Sequence, residues 1–186
     1  MPFQLPMIDT SAQWTGRLAC LDDDAAKRAG DDWDEVVGQY IATGQSDALS
    51  ATGCWVTLRP LSAAEEDAAE AEAGMPVQLG WFLYHEMEAS GVDLSDMRAV
   101  AASIAAMDER DRAALHQHNM HMERHRWARV RRALVAADFA EDGKPPALAL
   151  ERVSQDMRKT IITELWWHLN RICLLGAEGK ALAGPG

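Results

Sequence analysis

Asp156-Met157-Arg158-Lys159-Thr160-Ile161-Ile162-Thr163-Glu164-Leu165-Trp166-Trp167-His168-Leu169-Asn170-Arg171-Ile172-Cys173-Leu174-Leu175 is the best-patterned stretch of the chain. Met157, Ile161, Leu165, Leu169 and Ile172 recur at intervals of three and four. Ile162, Trp166 and Cys173 thicken that stripe. This is the period of a helix with one apolar face. Gly176 and Gly179 are its predicted stops. Trp166 and Trp167 are adjacent and cannot both face one core, so one of them is expected at a rim or an interface.

Reading back from this helix, Glu141-Asp142-Gly143-Lys144-Pro145-Pro146 is a strong turn signal. Upstream, a long helix is predicted to run to about Phe139. Ala113, Met120, Trp127 and Leu134 repeat along it every seven residues, with Val130 and Ala137 filling in. Met97, Val100, Ile104 and Met107 mark the helix before it. Val77, Trp81, Tyr84 and Glu88 fall near one face of another, which Gly91 closes. The clearest strand is Cys54-Trp55-Val56-Thr57-Leu58-Arg59, β-branched and aromatic between Gly53 and Pro60. Ser62-Ala63-Ala64-Glu65 after it is a capping box, and Gly74 ends the Ala- and Glu-rich helix that follows. Asp22-Asp23-Asp24 and Asp31-Asp32-Trp33-Asp34-Glu35 supply acidic helix starts, the second leading to a stop at Gly44. The expected fold is mainly α: a compact helical domain of about six helices with one or two short β-strands. Residues 1–50 read as an N-terminal arm and acidic helical lead-in, 51–176 as the helical core domain, and 177–186 as a loose tail.

The chain has 186 residues, 48% of them hydrophobic, enough for a core without disulfides or metal. Eighteen basic residues stand against 29 acidic ones, a net charge of −11. That balance argues against general nucleic-acid binding and against anionic membranes. No apolar run approaches the ~18–20 residues of a membrane span. Cys20, Cys54 and Cys173 are odd in number and far apart, and the N-terminus lacks a signal-peptide pattern. Free thiols in a reducing compartment are expected.

His116-Gln117-His118-Asn119-Met120-His121-Met122-Glu123-Arg124-His125 holds four of the six histidines. On a helix, His118 with His121 and His121 with His125 share a face, so His118, His121 and His125 form an alternative metal set. Glu123 does not directly follow a histidine as the metalloprotease pattern requires, and no third ligand is marked elsewhere. The favoured reading is therefore a polar, half-solvated helix face, and no cofactor is expected. Arg124, Arg126, Arg129, Arg131 and Arg132 make a basic run, read as a solvated face with local ion pairs. No Gly-x-Ser-x-Gly, phosphate loop, Cys-x-x-Cys or dinucleotide fingerprint occurs, which argues against an enzyme. Seven Trp in this chain are many. Trp55, Trp127, Trp166 and Trp167 are the partner-binding candidates, each weighed against a place in the core.

Three phrases carry a family resemblance. They are Trp55-Val56-Thr57-Leu58-Arg59-Pro60-Leu61-Ser62-Ala63-Ala64-Glu65-Glu66, then Val130-Arg131-Arg132-Ala133-Leu134-Val135-Ala136-Ala137-Asp138-Phe139 with the turn at 141–146, and then Leu148-Ala149-Leu150-Glu151-Arg152-Val153 with the closing helix. In this order, over roughly residues 53–176, the chain resembles the tail assembly chaperones of tailed bacteriophages and gene transfer agents. The lead-in at 1–50 and the histidine-rich helix depart from the family's usual form. The resemblance implies a small helical, non-enzymatic protein of the host cytoplasm. Its partners would be tape-measure and tail-tube proteins, and a homo-oligomer is compatible with that role. The alternative is a structural virion component at the capsid, neck or tail.

Overall fold

The structure, a computed structural model, describes residues 13–45, 47–76 and 78–174. Residues 1–12 of the expected arm, Val77, Leu175, the predicted stops Gly176 and Gly179, and the tail at 177–186 lie outside the described residues. The protein is mainly α, with eight α-helices and one small sheet among the described residues. It divides into two compact units, Met1–Asp67 with Arg129–Gly186, and Ala68–Ala128.

The first unit is built on a three-stranded antiparallel sheet of β1 (Trp14–Arg17), β2 (Trp55–Leu58) and β3 (Leu134–Ala137), in that order. Trp14 lies opposite Leu58 and Gly16 opposite Val56; on the other side Val56 faces Ala137 and Leu58 faces Leu134. β2 is central, as its run of β-branched and large side chains suggests, and Val56 and Leu58 are fully buried. β1 falls within the expected N-terminal arm, where the sequence predicts no strand. β3 corrects the predicted extent of the long helix, which is α6 (Glu109–Ala133) and stops short of Phe139. Leu134-Val135-Ala136-Ala137 suits either state locally. Pairing with β2 decides it, because the strand satisfies backbone groups that the central strand leaves open.

Around the sheet lie α1 (Asp23–Ala29), α2 (Trp33–Thr43), α7 (Pro146–Leu150) and α8 (Gln155–Leu174). Asp22 caps α1, accepting from the Ala25 N–H at 2.9 Å, and also takes the Ser50 N–H at 2.6 Å. Burial works against its carboxylate, but these bonds outweigh it and hold the group below its ordinary range. α2 ends at Gly44, left-handed at φ 75°. A Cβ there would overlap the Arg171 guanidinium, which donates to the Thr43 carbonyl at 2.9 Å. α8 packs on α2 and on the 3₁₀ turn Ala19–Leu21, and Ile161, Leu165 and Leu169 of the predicted stripe are buried. Met157, at the start of that stripe, is exposed instead. α3 (Ala63–Ala73) opens with the expected capping box: Ser62 donates its N–H to Glu65 at 2.9 Å. Arg59 also donates to Glu65, and this charged bond holds the Glu65 carboxyl at about 2. Glu66 takes a two-pronged bond from Arg129, Nε at 2.7 Å and Nη2 at 2.6 Å, while Arg129 Nη1 donates to Asn170 at 2.6 Å. That arginine is thus a part-buried clamp rather than part of a solvated face.

The second unit contains the end of α3, α4 (Gln78–Ala89), α5 (Met97–Ala106) and α6 up to Ala128. Asp96 caps α5, accepting from Arg98 and Ala99. Leu83, Ala114 and Leu115 form the core, with Tyr84, Ile104 and Met107 packed against it. Gly80 sits where α4 meets α6: a Cβ there would lie 2.3 Å from His118 Cβ and 2.8 Å from the Ala114 carbonyl oxygen. Only glycine permits this approach. The packed face of α6 here runs through Ala114, Leu115, His118 and His121, so the predicted seven-residue stripe is out of phase. Ala113 and Met120 face solvent. This part of α6 has few apolar residues, and His118 and His121 take inner positions that the seven-residue pattern does not mark. Among the described residues, no helix is long and apolar enough to cross a membrane.

Candidate partner-binding surface

α4 turns Gly80, Leu83 and Met87 inward, at helical spacing. The same geometry forces Leu79, Trp81, Phe82 and His85 outward. Trp81 is 53% exposed and Phe82 58% exposed, and Met75 just upstream is 90% exposed. The two rings meet edge to face at 5.7 Å, and the His85 ring lies 4.1 Å from Trp81. Beside them opens a cleft of ≈ 530 Å³, bounded by Pro76, Gln78, Trp81, Phe82, His118, His121 and Met122. Its walls are apolar apart from one amide and two imidazoles. Among the described residues no hydroxyl, thiol or carboxylate side chain lines it, and its walls suit an apolar side chain. Adjacent exposed aromatics against such a cleft are the usual anatomy of a protein-contact anchor.

The sequence-predicted residues lie elsewhere. Trp55 is half-buried at the start of β2, its N–H donating to Asp138 at 3.1 Å. Trp127 is half-buried on α6. Trp166 and Trp167 pair edge to face at 4.8 Å, with Trp166 half-buried and Trp167 47% exposed. Sequence reasoning passed over Trp81 and Phe82. A usable signal existed: Gly80, Leu83 and Met87 define a compact inner face, which leaves Trp81-Phe82 no room there.

The histidines are not the half-solvated set expected. His118 and His121 are buried, and His121 Nδ1 lies 3.3 Å from the Ala73 carbonyl oxygen. The rings of His121 and His125 stack in parallel at 6.2 Å. Among the described residues, no three His, Cys, Asp or Glu side chains gather closely enough to hold a metal ion. Chelation with EDTA is accordingly expected to leave the thermal midpoint unchanged. A fall of several degrees would restore the metal reading of His118, His121 and His125.

A second polar cluster, in the first unit, has the composition of a catalytic triad without its chemistry. Glu164 accepts from the N–H groups of Ala19 at 2.7 Å and Cys20 at 2.8 Å, and its Oε1 lies 3.6 Å from His168 Nε2. His168 is fully buried, stacked on Trp14 at 4.3 Å and met edge-on by Tyr40 at 4.8 Å. Tyr40 in turn donates to the Arg17 carbonyl and accepts from the Arg17 N–H. Burial and the neighbouring Glu164 push the Cys20 thiol far above its ordinary range, which favours the protonated form. Burial and Asp138 push Cys54 up to about 12, and burial raises Cys173. The cluster ties β1, α2 and α8 together.

That cluster has a pH signature. Burial lowers the pKa of His168, and the carboxylate of Glu164 only partly opposes it. The unfolded chain therefore takes up a proton below about 6.5 that the folded chain refuses, and stability falls as pH drops through that range. Glu164 is depressed despite its burial, because the nearby His168 ring and the N–H groups donated by Cys20 and Ala19 favour its charged form, so its share is lost further down, below about 4.5. Urea midpoints measured from pH 7.5 to 5 should decline, and His168→Phe should flatten that decline.

No family model matches the chain, and neither the curated proteins nor the solved structures gave a significant match.

Proposed function

We propose that this chain is a non-enzymatic assembly factor that covers apolar surface on client proteins, in the manner of a phage tail assembly chaperone. The carrying observation is the exposed Trp81–Phe82 pair beside the apolar cleft. A net charge of −11 would keep such a protein dispersed while an apolar face stays uncovered. The order of phrases across residues 53–176 supports tape-measure and tail-tube proteins as the clients, met in the host cytoplasm. Neither a membrane nor nucleic acid is part of this reading, given the charge.

Co-expression with the tape-measure protein of the same genome tests it. The client is expected to become soluble and to elute with this chain on size exclusion. Trp81→Ala with Phe82→Ala should weaken that association about tenfold or more, the loss of a hot-spot anchor. Trp166→Ala and Trp167→Ala measure the contribution of the other Trp pair. A client that stays insoluble while this chain elutes alone would reject the chaperone role. Its recovery at fixed stoichiometry in purified particles would make it a virion component at the capsid, neck or tail.

A further inference from the structure

We propose that the outward face of α4 receives a basic amphipathic helix of the partner, with one apolar side chain of that helix seated in the cleft at Trp81 and Phe82. This deepens the assembly-factor reading by naming the chemistry of the client, and it stands on a separate observation, the charge of the segment that carries α4. Ala68–Met97 carries Glu70, Glu72, Glu86, Glu88, Asp93 and Asp96, and no lysine or arginine. Glu86 and Glu88 are exposed on α4 itself, one to two turns beyond the aromatic pair. The negative end of the α4 dipole lies there too. The face is thus apolar at its N-terminal half and acidic at its C-terminal half.

A matching partner presents an apolar stripe edged with Lys and Arg. A helix fits better than an extended peptide, because the described part of this unit contains no strand and so offers no sheet edge to extend. Phosphate backbones and anionic lipids would meet the same carboxylates and be repelled. A second copy of this chain is a poor occupant. Its most arginine-rich stretch already has Val130 and Ala133 fully buried and Arg129 held by Glu66 and Asn170.

The test is fluorescence anisotropy of the full chain with three labelled synthetic peptides of about 18 residues, five helical turns. One carries Leu on one face and Lys on the other, one has Glu in place of Lys, and one scrambles the Lys peptide out of helical period. The helical Lys peptide is expected to bind about tenfold tighter than either control, and Trp81→Ala with Phe82→Ala to erase that advantage. Leu148→Ala, an exposed apolar residue of the other unit, should change nothing. Glu86→Gln with Glu88→Gln, wholly on the surface, should narrow the gap between Lys and Glu peptides. Equal binding of the Lys and Glu peptides would overturn the proposal. So would binding that survives loss of both rings, or self-association by sedimentation that those ring substitutions abolish. Tape-measure protein that fails to co-purify while the peptide still binds would remove the tail role and leave the helix site standing.

Discussion

Glu164→Ala is expected to destabilise the protein by about 3–5 kcal/mol, the largest effect of any single substitution described for this fold. The carboxylate is 5% exposed and is the shared acceptor for two backbone donors, Ala19 and Cys20, at 2.7 and 2.8 Å. Alanine strands both donors away from water, and each buried orphan costs about 1–3 kcal/mol. It also removes the carboxylate nearest His168. The 3₁₀ turn that follows β1 would lose its tie to α8, so the loss should appear as a lower urea midpoint at pH 7 and faster exchange of the amides at 14–21. Glu164→Gln keeps one acceptor oxygen and should cost roughly half as much. A cost under about 1 kcal/mol for the alanine variant would mean that the turn relaxes toward solvent and the cluster does not anchor β1.

Gly80→Leu is the second. Its first side-chain carbon alone would sit 2.3 Å from His118 Cβ and 2.8 Å from a backbone oxygen. Neither atom can move aside alone: the His118 Cβ is fixed to the α6 backbone, and the Ala114 carbonyl belongs to the ladder of that helix. The helices must separate, at about 3 kcal/mol or more for a side chain this size, and less for Gly80→Ala. The consequence should be local. Hydrogen exchange is expected to rise first in α4 and in the first half of α6, and the cleft should lose its shape, so that peptide binding falls with Trp81 and Phe82 both still present. Unchanged exchange in those helices would show that α4 is held by other contacts.

The helices were readable where the apolar spacing is dense. α8 has Ile161, Leu165 and Leu169 where the period puts them, α2 stops at Gly44, and Ser62 with Glu65 opens α3. Misreadings came from residues whose state is decided by distant partners. Leu134-Val135-Ala136-Ala137 continues a helical pattern and becomes a strand only because β2 is there to pair with it. Trp14-Thr15-Gly16-Arg17 has no strand signature of its own and is fixed by the same neighbour. The phase of α6 was misjudged because His118 and His121 occupy inner positions, and a polar residue type gives no hint of this. The candidate surface was half legible. Many aromatic residues are visible in the sequence, but which of them stay outside depends on what α4 buries.

The strand order carries a consequence for synthesis. β1 ends at residue 17 and β3 at residue 137, and neither touches the other except through β2. The sheet cannot close until residue 137 has left the ribosome. Ala68–Ala128 is one uninterrupted run, so its contacts can form while the other unit still lacks a strand and its longest helix. The segment bearing Trp81 and Phe82 can therefore be in place before the unit containing β1 is completed.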